Sequence, residues 1–208
     1  FVAKPDLAVP ATEQPVFTFA VHADVTDGTG ETRSAERPIQ AGYTALELAL
    51  RSESWNTSDR PIELTLTTTS LDQNPESATG TLTIQRLREP AAPVRARLGH
   101  GPRRWSPRNI TPAPSTNDLS RLENWPVAGV AERRAFNTDT NGTQRLEFTL
   151  APGAYKAIAE SKDRFGKTVR EERVLEVVDP GAARFKIRKP NHLAAPTWTV
   201  EPGTDFTA

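Results

Sequence analysis

The chain has 208 residues with 26 basic and 26 acidic side chains, so its formal net charge is zero. That balance offers no long-range attraction to nucleic acid or an anionic membrane surface. With no cysteine, the sequence holds no disulfide framework, thiol nucleophile or cysteine-ligated zinc site.

No apolar run approaches the ~20 residues that a membrane-spanning helix needs. Eighteen prolines, with clusters of Ser, Thr and Asn, predict many turns and little helix. The chain also lacks methionine and begins at Phe1. These features read as a piece of a longer protein, so missing targeting signals carry no weight.

Residues 1–15 are rich in proline and read as a linker or an irregular strand. Phe17, Phe19, Val21, Ala23 and Val25 then alternate with Thr18, Ala20, His22, Asp24 and Thr26. Period two places one set on a buried face and the other toward water. Asp27-Gly-Thr-Gly30 is a turn, and residues 31–40 return, with Pro38 marking an edge strand or a strand end. Leu46, Leu48 and Leu50 would spread round a helix but share one face of a strand, so this stretch is predicted extended. Strands follow with Ile62, Leu64 and Leu66, and with Leu82 and Ile84 inward. Residues 88–128 are irregular and long for a loop within a compact domain. They read either as a surface excursion or as a loop anchored through Trp105, Trp125, Leu119 and Leu122. Asn117 to Leu122 has the character of one helical turn. Strands resume at residues 130–136 and 146–150, then at Tyr155 to Val178, with short strands at Phe185 to Ile187 and Trp198 to Val200.

Residues 155–178 form two arms around Asp163-Arg-Phe-Gly166, a predicted β-hairpin. A shift of 136 residues lays Asp27 on Asp163 and Gly30 on Gly166. It also lays Phe19 on Tyr155, Val21 on Ala157, Glu36 on Glu172, Arg37 on Arg173 and Ile39 on Leu175. The same hairpin is written twice. The sequence therefore predicts an all-β chain of antiparallel β-sandwiches, in units of roughly 100–140 residues. If the hairpin closes each unit, residues 1–51 are the C-terminal part of one module. Residues 52–180 are then a complete module with an insertion at 88–128, and residues 181–208 open a third.

Three passages carry a family resemblance. They are Val21-His-Ala-Asp-Val-Thr-Asp-Gly-Thr-Gly30, Phe136-Asn-Thr-Asp-Thr-Asn-Gly142 with Leu146-Glu-Phe-Thr-Leu-Ala-Pro-Gly-Ala-Tyr155, and Trp198-Thr-Val-Glu-Pro-Gly203. Together they resemble the immunoglobulin-like macroglobulin domains of the bacterial alpha-2-macroglobulin family. The resemblance implies a large periplasmic, cell-surface or secreted protein that inhibits proteases of broad specificity by trapping them. A protease cuts a bait region, and in many members a Cys-Gly-Glu-Gln thioester then becomes reactive. The thioester cannot lie in a sequence without cysteine, so what carries over is a scaffold role. The expected partners are neighbouring modules of the same chain and, through the whole protein, proteases. No nucleic acid partner, membrane insertion or cofactor is expected. The alternative is a β-sandwich binding module from a surface adhesin or a carbohydrate-recognition array.

His22, His100 and His192 stand far apart, without other ligands at metal spacing. Asp139-Thr-Asn-Gly142 resembles a calcium loop faintly, but lacks the alternating oxygen ligands and the closing Glu. No Gly-x-Ser-x-Gly or phosphate-binding loop occurs, so no enzymatic activity is expected. Arg103, Arg104 and Arg108, with Arg95 and Arg97, suit a trypsin-like protease and suggest a protease-sensitive loop, although a solvated basic loop explains them as well. Asn56, Asn109 and Asn141 stand in Asn-x-Ser/Thr sequons. The apolar face of residues 1–50 needs cover, from the middle module, from residues 185–200 or by self-association of two copies.

Gly30 and Gly166 are the positions where the hairpin turns require positive φ. Replacing either with valine is expected to cost ~1 kcal/mol or more, read from the urea midpoint of the unit that contains it.

Overall fold

The computed structural model describes residues 16–53, 56–95, 118–190, 199 and 203. The alternating stretches are all extended. The first hairpin consists of β1 (Val16–Thr26) and β2 (Thr32–Gly42), which form a two-stranded sheet of their own. Eight strands follow among the described residues: β3 (Leu46–Ser52), β4 (Asn56–Thr57), β5 (Ile62–Ser70), β6 (Thr79–Leu87), β7 (Val127–Asn137), β8 (Thr143–Phe148), β9 (Gly153–Lys162) and β10 (Thr168–Val178). Five of them make a sheet in the order β4-β10-β9-β6-β7, and three make a sheet in the order β3-β5-β8. All pairings are antiparallel except β4 with β10, where Asn56 and Thr57 run parallel to Val177 and Val178.

The two larger sheets share one core. Leu46, Leu48 and Leu50, Ile62, Leu64 and Leu66, and Phe148 come from the three-stranded sheet. Leu82 and Ile84, Tyr155, Ala157 and Ala159, and Leu175 and Val177 meet them from the five-stranded sheet. Alternation puts these side chains on one face of each strand, and removing them from water stabilises the pair of sheets by about 2 kcal/mol per large aliphatic side chain. A β-sandwich results.

The module boundary drawn near residue 52 shifts. Strand β3 pairs with β5 from Leu46↔Ser70 to Ser52↔Leu64, so it lies within the sandwich. Its three leucines are buried only there, which is why the sandwich begins at Leu46. The strand expected at residues 185–187 is also absent. That segment is irregular and folds back, burying Ile187 against Leu87, Trp125 and Ala154. Of the expected strand at residues 198–200, only Thr199 is among the described residues.

The described end of the long insertion is anchored through Trp125. The chain turns at Asp118, makes one turn of 3-10 helix at Leu122–Asn124, and buries Trp125. Its indole N–H donates to the Leu119 carbonyl at 2.9 Å. Residues 96–117, including Trp105, lie outside the described residues.

Two polar features close the sandwich. Thr68 and Thr138 are buried with their hydroxyls 2.7 Å apart; the Thr68 hydroxyl donates to the Glu76 carbonyl at 2.5 Å, and the Ala78 N–H donates to Thr138 at 2.8 Å. At the corner where the chain leaves β8 for β9 in the other sheet, the Tyr155 hydroxyl donates to the Ala151 carbonyl at 2.7 Å. This is the tyrosine corner of sandwich folds. Burial raises the Tyr155 pKa, opposed by the guanidinium of Arg86 over its ring. Tyr155→Phe keeps the ring in the core and removes only the corner hydrogen bond. It is expected to lower the unfolding free energy by about 1 kcal/mol, measured by urea titration of the sandwich.

Candidate functional site

The repeated hairpin folds twice in the same register. Phe19 faces Ile39 in the first copy, and Tyr155 faces Leu175 in the second; both pairings are those the 136-residue shift predicts. The reason is local. In the first turn, the Asp27 N–H donates to the Glu31 carbonyl and the Gly30 N–H to the Asp27 carbonyl. In the second, Asp163 pairs with Lys167, and Gly166 with Asp163, in the same way. Gly30 has φ 89° and Gly166 φ 79°, the left-handed conformation that a three-residue hairpin loop with a bulge needs. Asp139 and Gly142 (φ 66°) build a third turn of this kind, so the faint calcium loop is a hairpin turn.

Each aspartate also uses its side chain. Oδ1 of Asp163 accepts the N–H groups of Phe165 and Lys167 at 2.9 and 2.8 Å. Oδ1 of Asp27 accepts those of Thr29 and Glu31, and the Thr29 hydroxyl as well. These bonds, the Thr29 hydroxyl foremost, hold the Asp27 carboxyl below its ordinary pKa.

Asp163 has a further role. Its other oxygen, Oδ2, accepts the Ala45 N–H at 2.9 Å, and the Lys167 ammonium donates to the Tyr43 carbonyl at 2.5 Å. Tyr43 and Ala45 belong to the link between the first hairpin and β3. The tip of the β9–β10 hairpin therefore grips the chain as it enters the sandwich. Burial of the Asp163 carboxyl pushes its pKa up. The three backbone N–H groups and the Lys167 charge outweigh that effect and leave the pKa below the ordinary carboxylate range.

The chain leaves at the other end of the same hairpin. After Val178, the Arg188 N–H donates to Glu89, its guanidinium to the carbonyls of Pro90 and Ala91, and Lys189 to Glu176. A strand of this length spans about 30 Å, so the chain enters and leaves the sandwich at opposite ends. Between the two junctions, the outer face of β9 and β10 carries a charge ladder. Lys156 pairs with Glu172 at 3.5 Å, and Arg170 bridges Glu160 and Glu172.

The other residues singled out in the sequence form no site among the described residues. Arg103, Arg104, Arg108, His100 and His192 lie outside the described residues. His22 stands on the exposed face of β1, 3.5 Å from Glu36. Among the described residues, no group of three His, Cys, Asp or Glu side chains could hold a metal ion. Asn56 is buried in β4, closed to glycosylation in the folded chain, whereas Asn141 is exposed in its turn. Sequence reading missed the grip of Asp163 on Ala45, because the turn motif shows the aspartate but not the segment that crosses it. Comparison with known proteins adds no identity: no family model matches the chain, and a search of the curated proteins finds no match.

Asp163→Asn separates the two roles of this side chain. The amide oxygen still accepts from Phe165 and Lys167, while its NH2 group faces the Ala45 N–H, donor against donor. Hydrogen exchange is expected to speed up at Ala45 and to stay slow at Lys167. A group with a depressed folded pKa stabilises above its unfolded pKa and loses that contribution as pH falls through the folded value. Protection of Ala45 in the wild-type chain is therefore expected to persist at pH 5–7 and to disappear only below the ordinary carboxylate range.

Proposed function

We infer that this chain is a structural scaffold segment of a large extracytoplasmic bacterial protein resembling the alpha-2-macroglobulin family, a broad-spectrum protease trap. The observation that carries this reading is the serial order of the hairpins. The same closing unit occurs twice in one register, and the chain enters the sandwich at the Asp163 tip and leaves beyond Val178 at the far end. Modules joined in this way stack head to tail. Residues 16–42 then close one module, residues 46–178 form an immunoglobulin-like macroglobulin module, and the polypeptide after Val178 leads into the next. The tyrosine corner at Tyr155 and the Gly153-Ala-Tyr155 passage support that assignment. The scaffold positions its neighbours, and proteases meet the whole protein.

One observation favours the second reading, a binding module of a surface adhesin or carbohydrate-recognition array. An open groove of about 780 Å³ lies across one end of β6, β7, β9 and β10 and reaches Gln144 of β8, with Thr81, Asn137, Glu160 and Lys162 among its lining residues. Binding of this chain to a saccharide on a glycan array, abolished by Asn137→Ala, would favour the module over the scaffold.

The direct test uses the longer protein that carries this chain. After mixing with trypsin, cleavage of casein is expected to be suppressed while cleavage of a small chromogenic peptide continues. Unchanged casein cleavage would sink the trap reading. Trypsin digestion of this chain tests the basic segment separately: cuts between Arg95 and Arg108, with the sandwich left intact, are expected for a bait-like loop, and resistance there rules one out.

A further inference from the structure

The two copies of the hairpin differ in what surrounds them. In the second copy, the β9 edge is fully paired with β6, from Gly80↔Ser161 to Arg86↔Tyr155, and its inner face is covered by the three-stranded sheet. In the first copy, β2 is the one strand among the described residues that pairs with β1. Its inner face, built from Phe17, Phe19 and Val21, is half-buried, while Val25 and Ile39 are 68% and 49% exposed.

The hydrogen-bond pattern shows which edge is open. Asp27 and Glu31 form a bonded pair, and in an antiparallel ladder bonded pairs recur at every second residue. The odd-numbered residues of β1 therefore bond to β2. The N–H and C=O groups of Thr18, Ala20, His22 and Asp24 point to the other edge, where no strand among the described residues pairs. By the same alternation, the outer edge of β2 carries Pro38, which has no N–H to donate, and proline is one of the devices that block strand addition. The second copy shows the same asymmetry: β9 takes a full strand at its edge, whereas β10 meets only the two-residue β4.

We propose that the β1 edge from Phe19 to Val25 is an acceptor for an antiparallel β-strand from a β-module built on the plan of residues 46–178. The docked strand is extended, free of proline, and carries aliphatic side chains at alternate positions. Leu82 and Ile84 mark these positions, facing Ala159 and Ala157 in the second copy; Ala23 and Val21 hold the equivalent places. The opposite sheet of that module covers Phe17, Phe19 and Ile39, as the three-stranded sheet covers the second copy. Main-chain bonds along the edge provide affinity, and the alternating side chains set the register. The inference rests on the repeated hairpin and does not depend on a protease-trapping role.

The probe is a synthetic peptide with the sequence of residues 79–87, added in excess to the full chain. Amide exchange is followed residue by residue. The peptide is expected to slow exchange at Ala20, His22 and Asp24 by about tenfold, leaving Ser34 and Glu36 on the β2 edge unchanged. His22→Pro removes an edge-facing donor and is expected to abolish that protection; Ser34→Pro, on the blocked side, is expected to leave it intact. Slow exchange at the Val21 amide, which bonds to β2, verifies in each variant that the hairpin has formed. No added protection at the β1 edge, or protection of the β2 edge instead, overturns the proposal. So does protection that appears without peptide and rises with chain concentration, since the occupant would then be a second copy of this chain.

Discussion

The carboxylate of Asp163 bonds the N–H groups of its own turn and, through its second oxygen, the N–H of Ala45. The turn sets the register of β9 on β10, and register decides which side chains face the core. A slip of one residue would carry Tyr155, Ala157 and Ala159 to the solvent face and bring Lys156 and Glu160 inward. The rest of the sandwich depends on that alignment, because β9 lies between β10 and β6 and carries the tyrosine corner. The same carboxylate then ties the incoming chain to the tip that it organises. Hairpin register and chain entrance thus share one anionic group, held in its charged form by the donors it satisfies.

The two hairpins show how far local chemistry reaches. Aspartate at the start of the turn and glycine at its end give both the same backbone bonds, and their strands the same pairing. Burial is not part of that local code. Tyr155, Leu175 and Val177 are sealed by strands drawn from across the sandwich, whereas their counterparts Phe19, Ile39 and Ala41 lie on a two-stranded sheet. Among the described residues these two strands have no second layer to pack on, and such a hairpin is marginal by itself. The exposure of Ile39 reflects the lack of a covering sheet among the described residues, since its sequence pattern matches that of the buried copy.

Polar groups mark where the sandwich is closed. Thr68 and Thr138 would be costly to bury alone. Bonded to each other and to the carbonyl and amide groups of residues 76–78, they seal one end of the core and fix two loops together. Trp125 does related work at the far end, where its ring shares a small apolar cluster with Ile187 and ties the long insertion to the departing chain. In both places the main chain crosses from one sheet or segment to another and leaves backbone groups in need of partners.

Alternation of Leu46-Leu48-Leu50, Ile62-Leu64-Leu66 and Leu82-Ile84 was enough to read these segments as strands with a buried face, because period two is a property of the extended backbone itself. The turns were legible for the same reason: Asp-x-x-Gly states its own hydrogen bonds and its positive φ. The module to which a strand belongs was not legible. Leu46 to Ser52 follows the first hairpin directly in sequence, yet its leucines find their cover opposite β9 and β10, and only tertiary packing assigns it to the sandwich. Ile187 has the look of a strand residue, but its segment is irregular among the described residues and is held by burial of Ile187 against Trp125. The grip of Asp163 on Ala45 joins residues 118 positions apart. Backbone chemistry within a few residues sets strand, turn and register. The choice of partner across the core belongs to the assembled fold, where apolar area and unpaired backbone groups are matched over long distances.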